Sequence, residues 1–255
     1  MKITKILGGL IFLLTLSLHA QDRQLADSLK AIIAAKGINE VAQELESVVK
    51  AGSDSETAFR MLHLLLATPN SLSRSESIKL REVIKSRAFK STATLIPPDE
   101  PGDQLIISGT VRSEDGQPVA GARVFVFQTD AHGCYSPSDA ATRRMDEPNS
   151  RLFGMMVTGA DGRYEFRTVR PGGYPFPRKD IPESDPLRFI PAHIHFEVTA
   201  GGYSLRRFQL VFDNDPRMTP EWHRWAKRDN NPVMRVTRDQ SGIQQAVCDI
   251  FLQKN

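Results

Sequence analysis

Ala122-Arg123-Val124-Phe125-Val126-Phe127-Gln128 decides the fold class of this chain. Side chains along a β-strand alternate between two faces. Ala122, Val124 and Val126 fall on one face here, and Arg123, Phe125 and Phe127 on the other. Both faces are largely apolar, so the run reads as a central strand covered on both sides. Upstream, Leu105 to Val111 is a second β-rich run, and Glu114-Asp115-Gly116-Gln117-Pro118 is a turn between the two. Downstream, Ala160-Asp161-Gly162 marks a hairpin turn that leads into Tyr164, Phe166 and Thr168 at period two. His193 to Val198, Arg207 to Phe212 and Ala246 to Leu252 supply three more strands. Short strands punctuated by turns predict a mainly β fold, an antiparallel β-sandwich over residues 104–255.

The texture before it differs. Leu25, Leu29, Ile32 and Ile33 follow helical spacing, and Val41, Leu45, Val48 and Val49 repeat it. Ser53 to Glu56 and Ser73 to Glu76 fit the capping box, in which a Ser hydroxyl and a Glu carboxylate satisfy orphan amides at a helix start. Four short helices are expected over residues 21–95. His63 sits in an apolar helix with no second ligand type at helical spacing, and reads as a packing residue. Residues 96–103 contain three prolines and a glycine and read as a linker.

Residues 1–20 read as a secretory signal: Lys2 and Lys5, an apolar run from Ile6 to Leu18, then Ala20 before Gln21. The run is about 13 residues, too short to span a ~30 Å bilayer as a helix. The expected location is extracytoplasmic, with no integral membrane segment once the signal is cleaved. Of the 255 residues' net charge of +3, two charges belong to Lys2 and Lys5, which leaves +1. No basic run resembles a nucleic-acid footprint or a polybasic membrane patch. Two cysteines, Cys134 and Cys248, exclude a disulfide framework, and they read as separate buried thiols.

The chemistry lies in four residues. His193 and His195, in Pro191-Ala192-His193-Ile194-His195-Phe196, are two apart in a strand and share a face. Tyr135 follows Asp130-Ala131-His132-Gly133-Cys134 at the end of the central strand. Tyr174 stands in Arg170-Pro171-Gly172-Gly173-Tyr174-Pro175, where the proline holds it extended and the glycines let the backbone bend. Both phenols and both imidazoles are expected to converge between the sheets. Two phenolates and two imidazoles form a hard N/O site suited to trivalent iron rather than zinc. A free phenol has a pKa of ~10, so ionising it at neutral pH takes roughly 4 kcal/mol, which a bound trivalent cation can supply.

The segment 105–215 resembles the intradiol ring-cleavage dioxygenases, the family of catechol 1,2-dioxygenase and protocatechuate 3,4-dioxygenase. Beyond the histidine and tyrosine motifs, the matching runs are Gly109 to Val111, Gly116 to Ala122, Val124 to Ala131, Asp161 to Phe166 and Gln209 to Phe212. The resemblance implies a β-sandwich holding a non-haem Fe(III). Tyr135, Tyr174, His193 and His195 would be its ligands, with Tyr135 and His193 equatorial and Tyr174 and His195 axial. It implies a catechol-type aromatic diol and O2 as substrates, displacement of Tyr174 when the diol binds, and a muconate-type diacid as product. No reductant or organic cofactor is implied, and a homo-oligomer is compatible. Gln209 matches a family glutamine near the metal. Ile190 stands where the family usually has an arginine, Arg188 lies two residues away, and Phe127 stands where a tryptophan is common. Gly-rich patterns like residues 109–124 also occur in transthyretin-like modules that bind no iron. A non-catalytic secreted β-sandwich or a degenerate relative is therefore the competing expectation.

Overall fold

The computed structural model describes residues 18–51, 55–68, 72–87, 90–136, 149–175, 182, 184–185 and 187–255. The leader up to Ser17 and the capping box that begins at Ser53 lie outside the described residues. Four helices come first: α1 (Leu18–Lys36), α2 (Ile38–Ala51), α3 (Ser55–Ala67) and α4 (Arg74–Arg87). α1 runs through the expected cleavage point at Ala20. Val41, Leu45, Val48 and Val49 of α2 are all buried, as their spacing predicts. At α4 the capping box is made: Ser73 Oγ accepts from the Glu76 amide at 3.4 Å, and Glu76 accepts from the Ser73 amide at 3.2 Å.

Thirteen strands follow among the described residues. One sheet has the order β1 (Thr92–Thr94), β5 (Arg163–Val169), β2 (Gln104–Ser113), β12 (Gln244–Val247), β11 (Thr237–Arg238), and β13 (Ile250–Leu252) also pairs with β2. The other has the order β10 (Val233–Met234), β9 (Arg206–Phe212), β8 (His193–Thr199), β3 (Arg123–Gln128), β4 (Leu152–Val157). β6 (Tyr174–Pro175) and β7 (Phe189–Ile190) form a separate two-stranded ribbon. A short helix, α5 (Pro220–Arg228), follows β9. It is capped by Thr219 and buries Trp222 and Ala226.

The two sheets share one core. Val124, Ile194, Phe196 and Leu210 from the second sheet meet Leu105, Ile107, Tyr164 and Phe166 from the first. Phe196 touches Tyr164 and Phe166 across the gap, with ring centroids 6.2 and 5.9 Å apart. β3 is central and covered on both sides. Val124 and Val126 enter the sandwich core, while Phe125 joins Phe153 in a second apolar cluster with α1–α4. The molecule is thus three layers: helices, second sheet, first sheet.

Three expectations need correction. The sandwich is mixed rather than antiparallel, because β1–β5, β10–β9, β12–β2 and β13–β2 are parallel pairs. Parallel pairing requires a long return connection, and the chain from β2 to β12 provides one. The closing strand, expected as Ala246 to Leu252, is broken at Cys248 and Asp249. The Cys248 carbonyl accepts from the Tyr164 hydroxyl at 2.6 Å, and Asp249 takes over a ladder bond from the Thr110 amide at 2.8 Å. Gly109 makes room for this break, since a Cβ there would lie 2.0 Å from the Cys248 oxygen. Finally, the helical region ends by Arg87. Thr92–Thr94 is already a sheet strand, and the 96–103 linker is packed down, with Ile96 and Glu100 buried. Neither cysteine is in a disulfide; Cys248 is buried and Cys134 half-buried.

His63 docks α3 on β4. Its Nε2 lies 2.6 Å from the Phe153 carbonyl oxygen, and Nδ1 lies 2.9 Å from Arg60 Nη1. A carbonyl only accepts and a guanidinium only donates, so the ring is the neutral Nε2–H tautomer. Burial, and next the Arg60 charge, lower its pKa to about 3. A folded-state value below the ordinary 6.5 means full stabilisation above pH 6.5, lost as the pH falls through the interval down to about 3. Between pH 7.5 and 5 this one group should remove ~2 kcal/mol of stability. Denaturant unfolding of His63→Gln at both pH values should lack that increment.

Candidate metal centre

The parity of β8 places its histidines. Ile194, Phe196 and Val198 point into the sandwich core, so His193 and His195 point to the opposite face. The quartet therefore lies on the helix-facing side of the second sheet, not between the sheets as expected from sequence. Apolar neighbours one residue away outweigh polar ones in deciding which face is buried in the sandwich. His195 pairs in register with Phe127 on one side and Gln209 on the other. Cross-strand partners share a face. Phe127 stacks flat on His195, with centroids 4.3 Å apart and planes 2° from parallel.

Tyr135 is delivered by a tight turn after β3. Asp130 Oδ1 accepts from the amides of His132 (2.9 Å) and Cys134 (3.0 Å), and the Asp130 amide donates to the Cys134 carbonyl at 2.9 Å. Gly133 at φ +84° makes the reversal possible. A Cβ there would lie 2.5 Å from the Gly173 carbonyl oxygen, so the glycine also lets two loops touch. Thr129 Oγ1 donates to the Gly172 carbonyl, and the Gly172 amide to the Asp130 carbonyl, both at 2.8 Å. Tyr174 then enters the β6–β7 ribbon directly opposite Ile190.

Four donor atoms meet. Tyr135 Oη is 3.1 Å from Tyr174 Oη, 3.1 Å from His193 Nε2 and 2.8 Å from His195 Nε2, and the two Nε2 atoms are 3.1 Å apart. Two ligands of one ion at ~2.0–2.2 Å, roughly at right angles, stand about 3 Å apart. The spacing thus fits a shared cation. Tyr135, Tyr174 and His193 are buried, and His195 is half-buried. His193 Nδ1 lies 2.8 Å from the Pro191 carbonyl oxygen, so Nδ1 carries the hydrogen and Nε2 presents a lone pair to the cluster. Burial lowers the pKa of His193 to about 4, and burial followed by the His193 charge lowers that of His195 to about 3. Both rings are neutral at pH 7, the state that binds metals. Among the described residues no group of three or more His, Cys, Asp or Glu side chains is arranged for a metal, so the phenols are what complete this donor set.

Of the other sequence candidates, Gln209 is beside His195, and its side-chain amide has no partner among the described residues. Ile190 is half-buried across from Tyr174, Arg188 is half-buried before β7, and His132 is exposed. Arg151, Glu100 and Asp130 escaped the sequence reading. Arg151 Nη1 and Nη2 grip both Glu100 oxygens at 2.7 and 2.6 Å, and Nη2 reaches Asp130 Oδ2 at 3.1 Å. Asp130 had a signal, an Asx-turn residue before Gly133. Arg151 and Glu100 had none.

The profile of a family described as Dioxygenase matches residues 84–247. The chain is 36% identical over 124 residues to a hydroxyquinol 1,2-dioxygenase of Rhizobium sp. (strain MTP-10005), covering 46% of this chain and 40% of that enzyme. It is 28% identical over 233 residues to a chlorocatechol 1,2-dioxygenase of Rhodococcus opacus, covering 83% of this chain and 87% of that one. The chain spans less than half the length of several curated relatives that it matches. Among solved structures, a catechol 1,2-dioxygenase from Pseudomonas arvilla C-1 superposes with a TM-score of 0.51 at 24% identity, covering 66% of this chain and 59% of the other.

Gly133 provides a test of how tightly the two tyrosine loops are coupled. Gly133→Ala carries both left-handed strain and a clash, whereas Gly202→Ala (φ +80°, open surroundings) carries strain alone. Urea unfolding should show about 1–2 kcal/mol lost for Gly202→Ala and clearly more for Gly133→Ala.

Proposed function

This chain belongs to the intradiol ring-cleavage dioxygenases, and from that membership we propose that it opens catechol-type rings with O2, using a non-haem Fe(III) held by Tyr135, Tyr174, His193 and His195. The observation that carries the proposal is the mutual approach of the four donor atoms, each within 3.1 Å of at least one other. Two phenolates and two neutral imidazoles match a hard trivalent ion. That ion, when bound, draws electron density from the diol ring so that O2 reacts with the organic substrate. The ring opens between the two hydroxyl-bearing carbons. Both oxygen atoms enter the diacid product, and no external reductant takes part.

The residues divide the remaining work. Tyr174 would be the ligand to give way: its neighbours are a two-residue ribbon and a glycine turn rather than a long strand. Its phenolate would take one of the two protons that the diol gives up on binding, and the other would pass to solvent hydroxide. Tyr135, fully buried and held by backbone on both sides, stays in place. His193 and His195 are fixed by β8, and Phe127 sets the ring plane of His195. Gln209 offers an amide beside His195 to hydrogen-bond the bound diol. Ile190 gives the pocket an apolar wall next to Tyr174, where an arginine would have offered charge. We further propose an extracytoplasmic location, supported by the leader-like residues 1–20. No described helix is long and apolar enough to cross a membrane.

Iron-reconstituted protein should be coloured by tyrosinate-to-Fe(III) charge transfer, and should consume O2 with catechols in one-to-one stoichiometry. Tyr174→Phe should retain iron with a shifted band and lose activity by two orders of magnitude or more. His193→Ala should lose the iron. Colourless, iron-free protein after reconstitution would return the chain to the non-catalytic β-sandwich reading.

A further inference from the structure

We propose that Arg151 is a positioning residue for Tyr135, and that through it α3 and the 96–103 connection set the geometry of the ligand quartet. This rests on the reading of Tyr135 as a metal ligand.

The turn that carries Tyr135 is held by Arg151 at both ends. At its start, the guanidinium binds Asp130 Oδ2 at 3.1 Å, while Asp130 Oδ1 binds the His132 and Cys134 amides. At its end, the backbone amide of Arg151 donates to the Tyr135 carbonyl at 2.9 Å. One residue thus closes a clasp around residues 130–135. Two more contacts orient the clasp from outside. Glu100, in the packed connection, takes both arms of the guanidinium fork, and Nη1 also donates to the Ala67 carbonyl at the end of α3 at 3.1 Å. The Arg151 side chain is 8% exposed and that of Glu100 is 2% exposed.

Burying an ion pair, with a third charge half-buried beside it, is a poor way to gain stability, since apolar residues of similar volume often do as well. A bidentate guanidinium–carboxylate pair does supply directional rigidity, because the planar fork accepts only one approach. That rigidity is aimed at the loop that delivers a buried phenol to within 3.1 Å of three other donor atoms. A ligand cage at this spacing tolerates little displacement. Groups that orient ligands from outside the cage typically change metal affinity 10- to 100-fold.

The test uses the full chain, iron-free and iron-reconstituted, with Arg151→Met, Arg151→Lys and Glu100→Gln. Leu252→Ala, which opens a cavity in the first sheet, is the control for lost stability. In the iron-free protein, Arg151→Met should speed hydrogen exchange at the His132 and Cys134 amides tenfold or more. In the reconstituted protein it should weaken Fe(III) binding at least tenfold and move the visible band. Arg151→Lys keeps the charge without the fork and should fall between Met and wild type. Should the Met variant fail to fold, Lys and Glu100→Gln carry the same comparison. Iron affinity and band indistinguishable from Leu252→Ala at equal stability would overturn the proposal. If unaltered protein takes up no iron, the reading of the ligand set falls instead. The clasp is then judged on exchange alone, and unchanged exchange at the two amides overturns it.

Discussion

Strand parity is the constraint from which the site follows. β8 carries Ile194, Phe196 and Val198 on one face and His193, His195 and Glu197 on the other. The first set is buried in the sandwich core, at 0–1% exposure. Burial of each such side chain is worth on the order of 2 kcal/mol. A one-residue slip of β8 against β3 and β9 would forfeit all three and drive two imidazoles in beside Phe166. The hydrophobic residues of the strand thus aim the polar ones, although they never touch the ligand cluster. The same parity governs β3, whose valines feed the sandwich and whose phenylalanines face the helices.

Collecting two phenols and two imidazoles in a buried space is costly unless each polar atom has a partner. The chain meets that cost without charge. His193 is locked in one tautomer by the Pro191 carbonyl, and both imidazoles are kept neutral by burial. What remains is a knot of lone pairs and phenolic hydrogens that can satisfy one another at 2.8–3.1 Å. On the proposed reading, displacing the two phenolic protons by a trivalent cation leaves a single net positive charge. A site of that charge suits an anionic diol and would hold a neutral one poorly.

The strands, and the four residues of the cluster, were legible because their signals are local. Alternation in Ala122 to Gln128 marks a central strand, and the glycine-bounded tyrosines and His-x-His mark special backbone. Long-range geometry was not legible. The face on which the quartet sits depends on which side of β8 meets the first sheet, and that is decided by Tyr164 and Phe166 some thirty residues earlier. The break at Cys248–Asp249 depends on Gly109 and Tyr164, which lie far away in sequence. Arg151 and Glu100 look like ordinary surface charges in a linear reading, since the partners of Arg151 lie 51 and 21 residues away. The 96–103 stretch reads as a linker for the same reason. Its prolines do exclude a helix, but proline content says nothing about whether the segment packs.

The helical layer is easily taken for an appendage, because the family profile begins only at residue 84. The packing argues otherwise. The helices cover the β3–β4 half of the second sheet's outer face, through Phe125, Phe153 and Met155, and leave the β8–β9 half to the ligand cluster. Phe127 belongs to both territories. It packs against the helical cluster and stacks on His195. Removing the helices would expose the flank of Phe127 and free the imidazole plane it holds. It would also take away the Ala67 carbonyl that Arg151 grips. A sandwich cut off at residue 90 would therefore retain all four donor side chains and lose two of the supports that orient them.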